Sequence, residues 1–218
     1  MILSITGLSG NLHVRPLRLR PGVASISFLV ARFLVLFLVG IAPAQEQPAT
    51  SQLTTWFSGQ FKNEHGLHTD TSNARLYQLE FRYSRLIHTS GPLEFRWVFD
   101  VVPMTLVGDP YTTSGHRRYA YGGGGSPFGA QVNWAHFGRV EPFVTLGGGA
   151  LYFNKKLLEA THFNFNAQLG AGVQLFSSSR RHSFDVGCKY HHISNANLGD
   201  VNHGMDSLML FVGTSFLR

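Results

Sequence analysis

The chain has 218 residues, 44% of them apolar, which suits one core and one domain. Its formal charge is +6, but Arg15, Arg18, Arg20 and Arg32 all precede residue 45 and no acidic residue does. Beyond residue 44 there are 14 basic and 12 acidic side chains, a net charge of +2, and nucleic-acid binding loses its main support.

The first 44 residues have the parts of a cleavable secretory signal. A basic stretch ends at Arg20, and an apolar run from Val23 to Ala42 follows, richest over Phe33–Val39. Ala42-Pro43-Ala44 then supplies small residues where a signal peptidase reads them. An uncleaved membrane anchor is the competing reading, since the run approaches spanning length; Arg32 interrupts it, and we expect cleavage. The long basic region is also what a start codon set too far upstream would produce. Residues 45–218 then form the mature domain.

Period-two alternation dominates that domain. Near 75–86, Tyr77, Leu79, Phe81 and Tyr83 alternate with Gln78, Glu80, Arg82 and Ser84. Near 93–101, Leu93, Phe95, Trp97, Phe99 and Val101 alternate with Glu94, Arg96 and Asp100. Between 163 and 175, Phe, Ala, Leu and Val alternate with Asn, Gln and Gly. Weaker versions run near 52–61, 118–135, 140–153, 181–194 and 206–216. Eight strands result, each near the roughly 9–11 residues needed to cross a bilayer at a tilt.

A soluble sandwich would bury the apolar faces, whereas a membrane barrel turns them to lipid and fills its interior with Gln, Asn, Glu and Arg. The opposed charges Glu80, Arg82, Glu94, Arg96 and Asp100 suit a small lumen filled by paired side chains. Short links near 88–92, 136–139 and 177–180 alternate with longer ones near 62–74, 103–117, 154–161 and 195–205, as periplasmic turns alternate with outer loops. The expectation is an all-β, eight-stranded antiparallel transmembrane barrel. Phe216 lies near the terminus, although the final Leu217-Arg218 departs from the usual terminal aromatic.

Cys188 is the single cysteine, so no intramolecular disulfide forms, and its place in the alternation reads as a small apolar residue. The clusters Gly122–Gly125 and Gly147–Gly149 lack the Lys-Ser/Thr or dinucleotide fingerprint of phosphate loops and read as relief of crowding in bent strands.

The chemistry concentrates in His192-Ile193-Ser194-Asn195. Alternate strand residues share a face, so His192 and Ser194 stand side by side, a base next to a nucleophile. They continue the parity of Phe184, Val186, Cys188 and Tyr190, and Asp206 shares parity with Leu208, Leu210, Val212 and Phe216. All three therefore point out of the barrel, and a lipid substrate follows. With the mature N-terminus periplasmic and eight strands, the seventh ascends, which puts Ser194 at its outer end. His191, His192 and His203 could be read as a zinc cluster, but His191 has the opposite parity and no cysteine joins them. No metal or other cofactor is expected.

The run His192-Ile193-Ser194-Asn195-Ala196 and the later Asn202-His203-Gly204-Met205-Asp206-Ser207 resemble the lipid A 3-O-deacylase family, outer-membrane esterases built on an eight-stranded barrel. The resemblance is strong over about thirty C-terminal residues; elsewhere it is one of length and architecture. It implies Ser194 as nucleophile, His192 as general base and Asp206 as the third, acidic member. It links Asn195 to the oxyanion hole and makes Asn202 a support for loop geometry. Asp206 is one methylene shorter than the family's usual glutamate, and Asn197 stands where glycine is common. Lipid A of lipopolysaccharide is the implied substrate and the outer membrane the implied location, with the site toward the outer leaflet.

Two other classes stay open: a non-enzymatic barrel for adhesion or envelope stability, and a barrel phospholipase or acyltransferase. A homodimer also stays open. Arg117, Arg118, Lys155 and Lys156, in or beside the outer loops, are placed to meet lipid phosphates, though we read them as solvated loop charge.

Overall fold

The computed structural model describes residues 49–63, 74–109, 118–134, 138–158, 160–202 and 204–218. The expected leader, Arg117 and His203 lie outside the described residues. Eight strands follow in chain order: β1 (Ser51–Asn63), β2 (Arg75–Ser90), β3 (Leu93–Asp109), β4 (Arg118–Trp134), β5 (Val140–Leu157), β6 (Thr161–Phe176), β7 (His182–Ser194) and β8 (Met205–Leu217). Each pairs antiparallel with its successor, and β8 pairs with β1 to close the barrel. Closure satisfies the backbone of every strand within the wall, the condition a sheet must meet inside hydrocarbon.

Side-chain alternation then sorts the chain into an outer and an inner face. Leu53, Phe57, Phe81, Leu146, Leu169 and Leu210 are among the large apolar side chains turned outward and exposed. Spread around the wall, they form a surface that water would penalise and lipid does not. Tyr119, Tyr121 and Tyr152 lie toward one end on β4 and β5, and Trp97, Trp134 and Phe216 toward the other, where interfacial aromatics are expected.

The inner face is packed. Arg82 makes a two-pronged bond to Asp100, Nε to Oδ1 at 2.7 Å and Nη2 to Oδ2 at 2.8 Å, and its Nη1 donates to Gln131 and Thr145. Lys189 pairs with Glu80 and also donates to Gln78 and Gln168. Asp185 is held by neutral donors instead: Trp56 Nε1, Ser183, Ser215 and Gln174. The Trp56 ring stacks on Phe211 and takes the Arg82 guanidinium at 4.1 Å.

Three features depart from the alternation as read in sequence. The strands have 13 to 18 residues, longer than a bilayer requires. β3 runs to Asp109 rather than ending before a loop at 103, because the ladder absorbs Pro103 in a register shift between Val102 and Thr105. Proline lacks the ladder donor, so it is tolerated at a bulge, where strict alternation is lost. Likewise β5 and β6 approach to a connection of only residues 158–160, because Leu157 and Leu158 turn inward and are buried.

Those leucines belong to the third departure. The interior is polar only in part; beyond the ionic network Leu76, Val102, Leu151, Phe153, Ile193, Met205 and Met209 form an apolar plug. The glycine clusters do relieve crowding: a methyl group on Gly149 would meet the Gly125 carbonyl oxygen at 1.9 Å, where β4 and β5 pass a bulge.

Because Asp100 neutralises a guanidinium that is itself buried, Asp100→Ala is expected to destabilise the barrel by about 3–5 kcal/mol. Denaturant unfolding from detergent micelles should show this as a lower midpoint.

Candidate functional site

β7 and β8 bring the sequence-predicted residues to one patch. The ladder sets His192 directly opposite Asp206, with Tyr190 opposite Leu208 one outward position away. Ser194 ends β7 on the same face, about 7 Å along the strand from His192. Inward neighbours Lys189, His191 and Ile193 are buried, whereas Tyr190, His192 and Ser194 are exposed or half-buried. The outward parity expected for the site residues is therefore the observed one.

His192 Nδ1 lies 2.7 Å from Asp206 Oδ1. The carboxylate side chain is 12% exposed and the imidazole 37%, so the acid is sheltered while the ring keeps an open edge. An ionised carboxylate only accepts, which puts the proton on Nδ1 and leaves Nε2 with a lone pair. Such an arrangement can take a proton from a neighbouring hydroxyl. Oδ1 also accepts a hydrogen bond from the Tyr190 hydroxyl, a contact that sequence reasoning missed because Tyr190 read as one more lipid-facing aromatic.

Gly204, within the second motif, has a steric role. A methyl group there would sit 3.2 Å from His192 Cε1 and 3.9 Å from Ser194 Cβ. The residue thus lets the loop backbone pass close over the carbon between the two ring nitrogens.

Asn195, Asn197 and Asn202 build the loop between β7 and β8. Asn195 is buried; its Nδ2 donates to the Val201 carbonyl at 2.8 Å and its Oδ1 accepts the Asn197 N–H at 3.0 Å. The Asn195 N–H donates to Asn202 Oδ1 at 3.2 Å. Leu198 N–H closes a turn onto the Asn195 carbonyl, with Ala196 at φ 51° and Asn197 at φ 63°. Asparagine tolerates this left-handed region better than most residues, which explains how it stands in a glycine position. Thus the loop-support expectation for Asn202 has a geometric counterpart. The Asn195 and Asn197 amides, by contrast, donate within the loop in this structure.

Across the ladder β6 presents Phe165 to Ser194 and Ala167 to His192, and Phe163 meets Phe165 edge to face. The hydroxyl is therefore flanked by an aromatic wall. Arg118, Lys155 and Lys156 are exposed at the end of the barrel on which Ser194 lies. His191 points inward, opposite Ser207, away from His192. Among the described residues, no group of three or more His, Cys, Asp or Glu is placed to hold a metal ion.

A model of the lipid A 3-O-deacylase (PagL) family matches residues 91–215, more than half of the chain and all of this site. Among solved structures the chain is similar to the outer membrane enzyme PagL, at 17% identity and a TM-score of 0.57, over 74% of this chain and 97% of that one. It is also similar to Neisserial surface protein A, at 14% identity and a TM-score of 0.51, over 79% and 100%. At these identities the structural likeness speaks to the fold. A search of curated proteins finds no match.

Gly204→Ala is expected to displace the His192 ring by a few tenths of an ångström and lower kcat several-fold on an ester substrate. The denaturant midpoint should change little, since the loop lies outside the barrel's packed interior.

Proposed function

From the premise that the chain belongs to the lipid A 3-O-deacylase (PagL) family, we propose that it is an outer-membrane serine esterase. Its substrate is lipid A of lipopolysaccharide, from which it removes the ester-linked 3-O-hydroxyacyl chain. The observation that carries this reading is the His192–Asp206 pair, set on the lipid-facing wall beside Ser194. Ionisable groups on such a wall are costly and call for a functional explanation.

In the proposed reaction Nε2 of His192 takes the Ser194 hydroxyl proton as Oγ attacks the acyl carbonyl carbon. Asp206 keeps the proton on Nδ1 and stabilises the imidazolium that forms. The tetrahedral oxyanion is a stronger acceptor than an amide oxygen, so it can displace Asn202 Oδ1 or Asn195 Oδ1 from the backbone N–H groups of Asn195 and Asn197. Collapse of the intermediate expels the sugar hydroxyl, which takes its proton from His192. Water, activated by the same imidazole, then releases the 3-hydroxy acid. Phe163 and Phe165 line the side on which an acyl chain lies against the barrel.

The connections at the two ends support an orientation. The start of β1, the end of β8 and the strand ends joined through 91–92 and 177–181 share one end, which we assign to the periplasm. Ser194 then lies toward the outer leaflet, where lipid A resides. The leader at 1–44 is proposed to direct export and to be removed.

Mass spectrometry of lipid A from a Gram-negative host expressing the chain tests the proposal. Loss of one 3-hydroxyacyl group is expected with the intact protein. Ser194→Ala should lower this activity by about 10³-fold or more while leaving a folded barrel in the outer membrane. Unaltered lipid A from the intact protein, also after assay in detergent, would sink the esterase reading.

A further inference from the structure

One carboxylate oxygen at the site is shared by two donors. Asp206 Oδ1 accepts from His192 Nδ1 and from the Tyr190 hydroxyl. Tyr190 and His192 are alternate residues of β7, so both donors reach the acid from one face of one strand. This rung is set among neutral neighbours. β6 presents Leu169 to Tyr190 and Ala167 to His192, β8 presents Leu208 to Tyr190, and Lys189 and His191 lie on the lumen face.

Resting on the esterase reading, we infer that Tyr190 is a positioning residue for catalysis: its hydroxyl fixes the Asp206 carboxylate in the orientation that aligns His192. The first argument is reach. Aspartate carries its carboxylate on a single methylene, so it approaches the imidazole only over a narrow range of side-chain torsions. A second donor on the same oxygen restricts it to that range. The second argument is charge. A carboxylate on a lipid-facing wall lacks the hydration it has in water, and charge-assisted hydrogen bonds replace part of it. With two donors the carboxylate is held against the ring; with one it is freer to turn away.

Tyr190→Phe removes this donor and keeps the ring and its lipid-facing surface. A carboxylate free to turn leaves His192 out of line with Ser194, so the loss falls on kcat rather than on KM. A hydroxyl that only contributed to folding would leave kcat per folded barrel where it was.

The experiment uses the purified barrel in detergent with lipopolysaccharide as substrate, and follows released 3-hydroxy fatty acid. Wild type, Ser194→Ala, Tyr190→Phe, Asp206→Glu and the double variant of the last two are compared. Tyr190→Phe is expected to lower kcat about tenfold, with KM little changed. In the Asp206→Glu background, where the longer side chain supplies its own reach, the same change is expected to cost clearly less. Unchanged kcat in Tyr190→Phe, or an equal loss in both backgrounds, would overturn the positioning role while leaving the esterase reading intact. A wild type that releases no more fatty acid than Ser194→Ala would overturn both.

Discussion

The pairing of β1 with β8 is the constraint on which everything else depends. Hydrocarbon offers no partner to an open sheet edge, so the sheet has to close, and closure gives every residue an inner or an outer side. With a side-chain period of two, a slip by one residue would exchange the contents of the two faces. The inner face would then lose Arg82, Asp100, Glu80 and Lys189 to lipid. Register is therefore held by the cost of misplacing charge as much as by apolar burial.

The interior is packed and supports the wall. The ion pairs are fully buried and share acceptors, with Gln168 donating to Asp100 while accepting from Lys189. Above this network an apolar plug fills the lumen, and Ile193, Met205 and Met209 contribute to it from β7 and β8. Ile193 and Met205 are the inward neighbours of His192, Ser194 and Asp206. The His192–Asp206 pair is thus backed by close-packed side chains, and its geometry rests on two adjacent strands.

Placing an imidazole and a carboxylate on the outer wall turns the barrel inside out as an enzyme scaffold. On the proposed reading, a substrate embedded in the bilayer reaches the nucleophile by lateral diffusion. Such a site cannot exclude water by enclosure. Lipid and the flanking aromatics Phe163 and Phe165 must do so instead. The low polarity of the surroundings strengthens the His192–Asp206 interaction and raises the cost of leaving either group unpaired.

Much of this was legible in the sequence because period-two alternation is a local property. It fixed the strand count and the outward parity of His192, Ser194 and Asp206, because each strand reports its own faces. The pairing of His192 with Asp206 was suggested by the place of Asp206 at the start of the next apolar run and by the motif resemblance, but their opposition is a matter of register between β7 and β8. Alternation failed where backbone events intervened: Pro103 at a bulge concealed the second half of β3, and Leu157 and Leu158 looked like loop before turning into the plug. The bond from Tyr190 to Asp206 and the approach of Gly204 to His192 belong to tertiary structure alone. Both need two segments to be brought within a few ångströms, and no one-dimensional pattern encodes that distance.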